Sequence, residues 1–311
     1  MAVFLLFLLL FVTDGHGSDI PIIPVGKEHL HRRKCPVAIC AIFRDESPFL
    51  KEWIEYHLLV GVSHFYLYNN LSQDNYQEVL RPYVETGVVE LFDVPFDSYQ
   101  YDDGAKMHNV VQVHCYNHAI CLATHWNKWL AVIDVDEFIC PMKENSLIDI
   151  LEQYTYAGAL AVYWHIYGTS QVWDLLPGEL LLEKLLLREP TNPRPLFKTI
   201  VQPKGALCLD PHYCSVSGKP TVTTDHRRFS HTPNFLEPPV GILKINHYTF
   251  RTESYYYNFK KARRERWGDR PDPQQVQELL DHSNAVYDPI MLRFIPQLKK
   301  RMAKAAQRIE R

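Results

Sequence analysis

The sequence predicts an α/β domain, a mostly parallel sheet with helices on both faces. Three observations carry that prediction. Apolar, partly β-branched runs alternate with amphipathic segments from Val37 to Trp164, the connections between them are short, and one of the runs ends abruptly in carboxylates. Strands covered on both faces read as continuous apolar runs. Strand–helix alternation with short connections sets such strands parallel and side by side.

Val37–Phe43 (VAICAIF) is the first run. Ser47-Pro48 then supplies an N-cap and a first-turn proline, Phe49, Trp53, Tyr56, Leu59 and Val60 keep helical spacing, and Gly61 closes the helix. His64–Tyr68 reads as a second strand, and Asp74 can cap a helix running through Thr86, stopped by Gly87. Val88–Phe92 is a third strand, Lys106–Ala123 a long helix and Trp129–Asp134 a fourth strand. Asn145 or Ser146 can cap a helix to Tyr154, and Ala159–Trp164 is the fifth strand. From about Gly168 the regularity is lost. Proline-rich stretches at 190–195 and 233–239 indicate long loops, followed by helices at Ser254–Trp267 and near Leu292–Ile309, with no internal repeat.

With 311 residues and 46% apolar content the chain is neither a disulfide-stapled mini-protein nor a disordered tail. The organisation expected is a signal peptide or short signal anchor at 1–17, a linker at 18–35, one domain at 36–267 and a helical tail at 268–311. A net charge of −3 offers no basic excess for nucleic acid, so no nucleic-acid partner is expected. Residues 2–12 are an unbroken apolar run, shorter than the ~20 residues of a spanning helix. The run has the length of a signal-peptide core, Gly15-His16-Gly17 suits a cut before Ser18, and a positive segment ahead of it is missing. The expectation is the secretory pathway, membrane-associated through this segment or lumenal: the Golgi in a eukaryote, the cell envelope or exterior in a bacterium. Of seven cysteines, Cys208 and Cys214 bracket a short loop and can bridge in an oxidising compartment. Cys40 and Cys115 read as core packing, and the lack of any CxxC pair disfavours a zinc cluster.

The most informative stretch is Ala131-Val132-Ile133-Asp134-Val135-Asp136-Glu137-Phe138, an apolar strand running into three carboxylates. Clustered like charges repel and raise one another's pKa. A hard divalent ion such as Mg²⁺ or Mn²⁺ relieves that repulsion, and such ions usually share their site with substrate phosphates. A D-x-D after a buried strand therefore points to a metal–diphosphate site, the alternative being a solvated strand end with acidic caps.

Here the sequence resembles a known family, glycosyltransferase family 92 (the former domain-of-unknown-function 23 group) and related family-2-like enzymes. The pieces are Phe43-Arg44-Asp45-Glu46 after the first strand, Leu50-Lys51-Glu52-Trp53-Ile54-Glu55-Tyr56-His57, and Gly61-Val62-Ser63-His64-Phe65-Tyr66-Leu67-Tyr68-Asn69-Asn70. They continue with Trp129 to Phe138, then Asn246-His247-Tyr248, Ser254 and Lys260-Lys261-Ala262, in order over roughly Pro36 to Trp267. Family members often carry Lys-Asn-Glu where this chain has Arg44-Asp45-Glu46, and Asp where it has Asn69. The resemblance implies a GT-A fold, a UDP-sugar donor (galactose by family likeness), a glycan, glycolipid or glycoprotein acceptor, Mn²⁺ or Mg²⁺, and inversion at the sugar carbon.

On that reading Asp134 and Asp136 hold the metal, Asp136 the more directly because it lies farther past the strand end, with Glu137 beside them or capping the next turn. The resemblance implies a third ligand from the C-terminal half. His247, after an apolar strand, is the choice, with His212 and His231 as rivals. Arg44 and Glu46 fit contacts to phosphate, base or ribose, unless they form a surface ion pair. Tyr68, Asn69 and Asn70 end a strand and suit the ribose, although Asn70-Leu71-Ser72 is also an N-glycosylation sequon. Gln112 and Asn117 can reach uracil or sugar, or simply form a polar helix face. Ser254 and Lys260 suit the diphosphate, although Lys260, Lys261, Arg263, Arg264 and Arg266 also read as a solvated basic face. The base for the acceptor hydroxyl stays open among Glu137, Asp174, Glu183 and Asp210. Trp164 or Trp173, if exposed, would suit stacking on an acceptor sugar.

Two other readings compete: a metal-dependent phosphoesterase, and a catalytically inactive carbohydrate-binding protein that kept the fold. No G-x-S-x-G, P-loop or G-x-G-x-x-G occurs, which disfavours serine hydrolysis, P-loop ATP use and a dinucleotide site.

Overall fold

A computed structural model describes residues 20–26, 34–101, 103–143, 146–192, 195–230, 238–266, 270 and 272–309. The apolar segment at 2–12, Ser18, Asn145, His231 and Trp267 lie outside the described residues. In chain order come β1 (Ile23–Val25), β2 (Cys35–Phe43), α1 (Ser47–Leu59), β3 (His64–Asn69), α2 (Tyr76–Glu85), β4 (Val89–Asp93), α3 (Gly104–Ala123) and β5 (Asn127–Val132). Then follow β6 (Glu137–Pro141), α4 (Leu147–Glu152), β7 (Ala159–Ile166), α5 (Leu181–Lys184), β8 (Leu187–Arg188), β9 (Phe197–Val201), β10 (Ala206–Cys208), β11 (Cys214–Val216) and β12 (Thr221–Thr223). β13 (Leu243–His247), α6 (Glu253–Tyr255), a π-helical turn (Tyr256–Lys260), α7 (Lys261–Arg266), α8 (Pro273–Ser283), β14 (Val286–Tyr287) and α9 (Ile295–Ile309) complete it.

The main sheet has the order β1-β4-β3-β2-β5-β9-β7-β13-β6, with β12 alongside β7. β4, β3, β2 and β5 are parallel, β9 runs antiparallel between β5 and β7, and β13 lies parallel to β7. β6 closes one edge antiparallel to β13, and β1 the other antiparallel to β4. This is the expected α/β architecture, a mostly parallel sheet with both faces covered. Successive β2 side chains enter different cores: Val37, Ile39 and Ala41 pack toward α1 and α9, whereas Ala38, Cys40 and Ile42 pack toward α3.

Three expectations need correction. Ser47 does not cap α1 with its own side chain; Asp74 Oδ2 accepts from the Ser47 backbone N–H at 2.7 Å, while Asp74 Oδ1 accepts from the Tyr76 N–H at the start of α2 at 3.3 Å, as expected. The fourth strand stops at Val132, and Glu137 opens a strand of its own. The half after Gly168 is richer in strands than its prolines suggest, but most of these are two to five residues long, too short to show a period.

Side chains of α1 lock β6 in place. Trp53 Nε1 donates to the Glu137 carbonyl at 2.8 Å, and Tyr56 OH to that of Ile139 at 2.9 Å. His57 Nδ1 meets the Trp53 carbonyl at 2.8 Å while its Nε2 accepts from the Ile139 N–H at 3.2 Å, which assigns a neutral ring. Burial pushes the His57 pKa down to about 3. Cys208 and Cys214 face each other across β10 and β11 and form a disulfide. Among the described residues no helix is long and apolar enough to cross a membrane.

Candidate active site

β5 leads at its carboxyl end into a tight turn over Ile133–Asp136. The Glu137 N–H donates to the Asp134 carbonyl at 3.1 Å, and the Asp134 N–H donates back to Glu137 Oε2 at 3.0 Å. The neighbouring strands bring their chemistry to the same edge. Antiparallel β9 sets Thr199 opposite Val132, so Lys198 arrives beside Asp134. β13 sets His247 opposite Glu137, and the Tyr248 N–H donates to the Asp136 carbonyl at 2.8 Å.

Asp134 sits in a cradle of three donors. Gln112 Nε2 and Tyr116 OH, one helical turn apart on α3, approach Oδ1 at 2.6 and 3.1 Å, and Lys198 Nζ approaches Oδ2 at 2.9 Å. Burial works to raise the Asp134 pKa, but the Lys198 ammonium outweighs it and holds the carboxyl below its ordinary value. Asp136 faces His247 Nε2 at 3.3 Å and Lys260 Nζ at 3.6 Å. Here too burial is overcome, by His247 and then Lys260, and the carboxyl is held well below the usual range. Glu137 is the opposite case. It is fully buried, and burial pushes its pKa well up against the pull of Lys198, with Asp134 and Asp136 adding to the rise. Glu137 braces the turn through its bond to the Asp134 N–H, and its burial leaves it no face toward an acceptor hydroxyl.

A second group adjoins the first. Glu46 receives Arg251 Nη2 at 2.6 Å and Tyr255 OH at 3.3 Å. Arg251 is 1% exposed, adopts a left-handed backbone (φ 58°) and lays its guanidinium over the Phe49 ring at 4.1 Å. Arg44 lies over Tyr99 at 5.0 Å and 3.7 Å from Asp97. Burial, with Arg263 and Arg44 adding to it, drives the His108 pKa down to about 4. The charges of Tyr255, Glu46 and Asp136 hold the Arg263 pKa up against burial. Arg44, Arg251, Lys260 and Arg263 therefore form a basic flank beside the acidic turn.

The structure brings together Asp134, Asp136, Glu137, Gln112, His247 and Lys260, with Glu46 and Arg44 alongside. It does not bring in the other donor candidates. Tyr68 bonds His118 Nδ1 at 2.8 Å inside the core. Asn69 links Tyr76, Asp93 and the Ser72 N–H, and Asn70 donates to the Val94 and Phe96 carbonyls at 3.0 and 2.8 Å. Asn70 is 1% exposed, so the sequon is closed to a glycan in the folded chain. Asn117 clasps the backbone N–H and C=O of Cys208. Ser254 packs against Thr252, and its N–H is taken by the Trp173 carbonyl. Of the base candidates, Asp174 accepts from its neighbour Leu175, Glu183 pairs with Lys299 and Asp210 caps the His212 and Tyr213 N–H groups. Trp164 is buried between His212 and His247, and Trp173 is exposed.

Lys198, Tyr116, Arg251 and Tyr255 escape sequence reasoning. Lys198 alone leaves a trace, the one charge in the short strand Phe197–Val201, since a lysine is fully buried only when paired.

Asp136 and His247 suit a hard divalent ion: a carboxylate oxygen and an imidazole nitrogen lie 3.3 Å apart, and among the described residues the buried His247 Nδ1 has no hydrogen-bond partner. Asp134 already accepts from three donors, which leaves Asp136 and His247 the more open pair. Among the described residues no three His, Cys, Asp or Glu side chains converge on one point. The rest of an ion's shell would come from water and substrate oxygens.

The chain is thus an α/β protein with an acidic turn and a basic flank at the carboxyl edge of its sheet, the edge where such folds place their ligands. Residues 34–266 match the model of glycosyltransferase family 92, and the chain belongs to that family. A glycosyltransferase family 92 protein of Oryza sativa subsp. japonica is 26% identical over 251 residues, covering 77% of this chain and 38% of that protein. A galactan β-1,4-galactosyltransferase of Arabidopsis thaliana is 34% identical over 113 residues, covering 34% of this chain and 21% of that protein. The chain spans about two fifths or less of the length of these relatives. Among solved structures, S. aureus TarS 1–349 in complex with UDP aligns at a TM-score of 0.34 and 11% identity, covering 54% of this chain and 47% of that one. That likeness is slight, and nothing about this chain's ligand rests on it.

Proposed function

We propose that the protein is a metal-dependent glycosyltransferase, moving a hexose from a UDP-sugar to a glycan, glycolipid or glycoprotein acceptor with inversion. The observation that carries this reading is the meeting of Asp134 and Asp136 with Lys198, His247 and Lys260 at the carboxyl end of β5. Galactose is the first sugar to try, on the likeness to the galactan galactosyltransferase. The disulfide favours an oxidising compartment and hence the secretory pathway.

The chemistry follows from the residues. Asp136 and His247 would hold Mn²⁺ or Mg²⁺, which when bound neutralises charge developing on the departing diphosphate. Lys260, 3.6 Å from Asp136, is placed to meet a phosphate oxygen, with Arg44 and Arg263 extending the same positive field. Gln112, Tyr116 and Lys198 fix Asp134, which is 31% exposed and keeps a face for a ribose or sugar hydroxyl. The base stays unassigned, because none of the four carboxylates proposed for it both faces solvent and adjoins the turn.

UDP release from a panel of UDP-sugars with Mn²⁺ tests the reading. Wild type is expected to release UDP from at least one donor, and Asp136→Ala to lower the rate about 100-fold or more, the scale of a lost charge-stabilising contact. Equal, metal-independent release by both proteins sinks it.

A further inference from the structure

Lys198 is 1% exposed, yet it carries an ammonium into the middle of the sheet, between β5 and β7. Such a group is costly to bury unless its hydrogen bonds are met. Two oxygens meet them, Asp134 Oδ2 at 2.9 Å and the Pro211 carbonyl at 3.0 Å, with Glu137 Oε2 a further 4.0 Å contact.

The Pro211 carbonyl is itself held. It lies inside the loop closed by Cys208–Cys214. Within that loop the Asp210 carboxylate takes the His212 and Tyr213 N–H groups at 2.7 and 2.9 Å. Thr199, next to Lys198 on β9, accepts from the Cys214 N–H at 3.0 Å and donates to the His212 carbonyl at 3.4 Å. Asn117 fastens Cys208 to α3, the helix whose Gln112 and Tyr116 hold the other oxygen of Asp134. A continuous set of contacts thus runs from the disulfide loop through Lys198 to the acidic turn.

We propose that Lys198 is a positioning residue of the donor site. Acting through Asp134, it fixes one carboxylate of the turn in its donor-binding orientation, and the disulfide-closed loop fixes Lys198. The inference rests on the glycosyltransferase reading above. An ammonium on the outer side of Asp134 offsets its repulsion of Asp136, so Asp136 and His247 stay available to the donor's counter-ion. A tethered cation also cannot leave with the product, so the orientation persists through turnover.

The test is UDP binding with Mn²⁺, followed by titration calorimetry on the full chain at a temperature well below each variant's melting transition. Lys198→Met is expected to weaken UDP binding about 10-fold or more, the scale for losing a residue that orients a binding carboxylate, and Lys198→Arg to recover part of it. In an Asp134→Asn background the same Lys198→Met change is expected to shift affinity less than about twofold, because the path through Asp134 is already cut. A lysine that only supports folding would lower the melting temperature without changing the affinity of the folded protein. Unchanged UDP affinity in Lys198→Met, or fully additive losses in the double variant, overturns the proposal. If Lys198→Met does not fold, the Cys208→Ser/Cys214→Ser variant decides with Lys198 intact: weaker UDP binding supports the proposal and unchanged binding overturns it. Wild type that binds no UDP overturns the glycosyltransferase reading itself.

Discussion

Arg44 and Glu137 apart, the acidic and basic groups of the site come from different halves of the chain. The first half, β2 through β5, is regular and parallel, and it delivers Glu46, Asp134 and Asp136 to the sheet edge. The second half, from β6 onward, is less regular, with strands of two to five residues apart from the eight-residue β7, and it delivers Lys198, His247, Arg251 and Lys260. Each half alone would leave buried like charges. The difference teaches that the site is also a seam, where function and stability share the same ion pairs.

The largest effect is expected where that seam is most buried. Arg251→Met leaves the Glu46 carboxylate without its 2.6 Å partner and should cost about 3–5 kcal/mol of stability, read from the denaturant midpoint. Adding Glu46→Gln should return a good part of the loss; no recovery breaks the idea that this pair joins the halves.

A pH effect comes next. His57 holds β6 against α1, and its folded pKa of about 3 lies below the usual 6.5. The unfolded chain therefore binds the proton first, so this stabilisation is complete above about pH 6.5 and fades as pH falls toward 3. The melting temperature should drop across that window, and His57→Gln should flatten the drop; an unchanged slope in the variant contradicts it.

Smaller effects lie within one half. Opening the Cys208–Cys214 bridge, a sequence separation of 6, should cost about 2 kcal/mol by chain entropy, measured by melting with and without reductant. Asn70→Ala should cost about 1–3 kcal/mol through two lost buried hydrogen bonds. The wild-type chain secreted from a eukaryotic host should show no mobility shift after N-glycosidase treatment; a shift lost in Ser72→Ala would show the Asn70 side chain leaving its pocket.

The same two halves differ in how much the sequence reveals. β2, β3, β4 and β5 are apolar runs bounded by capped helices, so periodicity finds them, and Asp134-Val135-Asp136 is legible because the carboxylates are contiguous. Lys198 lies 64 residues from Asp134, and Arg251 lies 205 from Glu46, separations at which no local pattern ties partners together. Asn70 shows the converse error. A local motif marks it as a surface acceptor, while the strand end that carries it turns the side chain into backbone carbonyls. His247, 3.3 Å from Asp136, is tied to that carboxylate in the sequence only through a family resemblance, because spacing carries no such long-range link.

The most direct test of the central claim, that Asp136 of the first half and His247 of the second share one donor site, is Mn²⁺-dependent UDP binding by His247→Ala measured beside wild type. The account predicts that wild type binds UDP more tightly with Mn²⁺ and that the variant loses most of that gain, about 10-fold or more, while keeping its fold. An equal Mn²⁺-dependent gain in both proteins would contradict it.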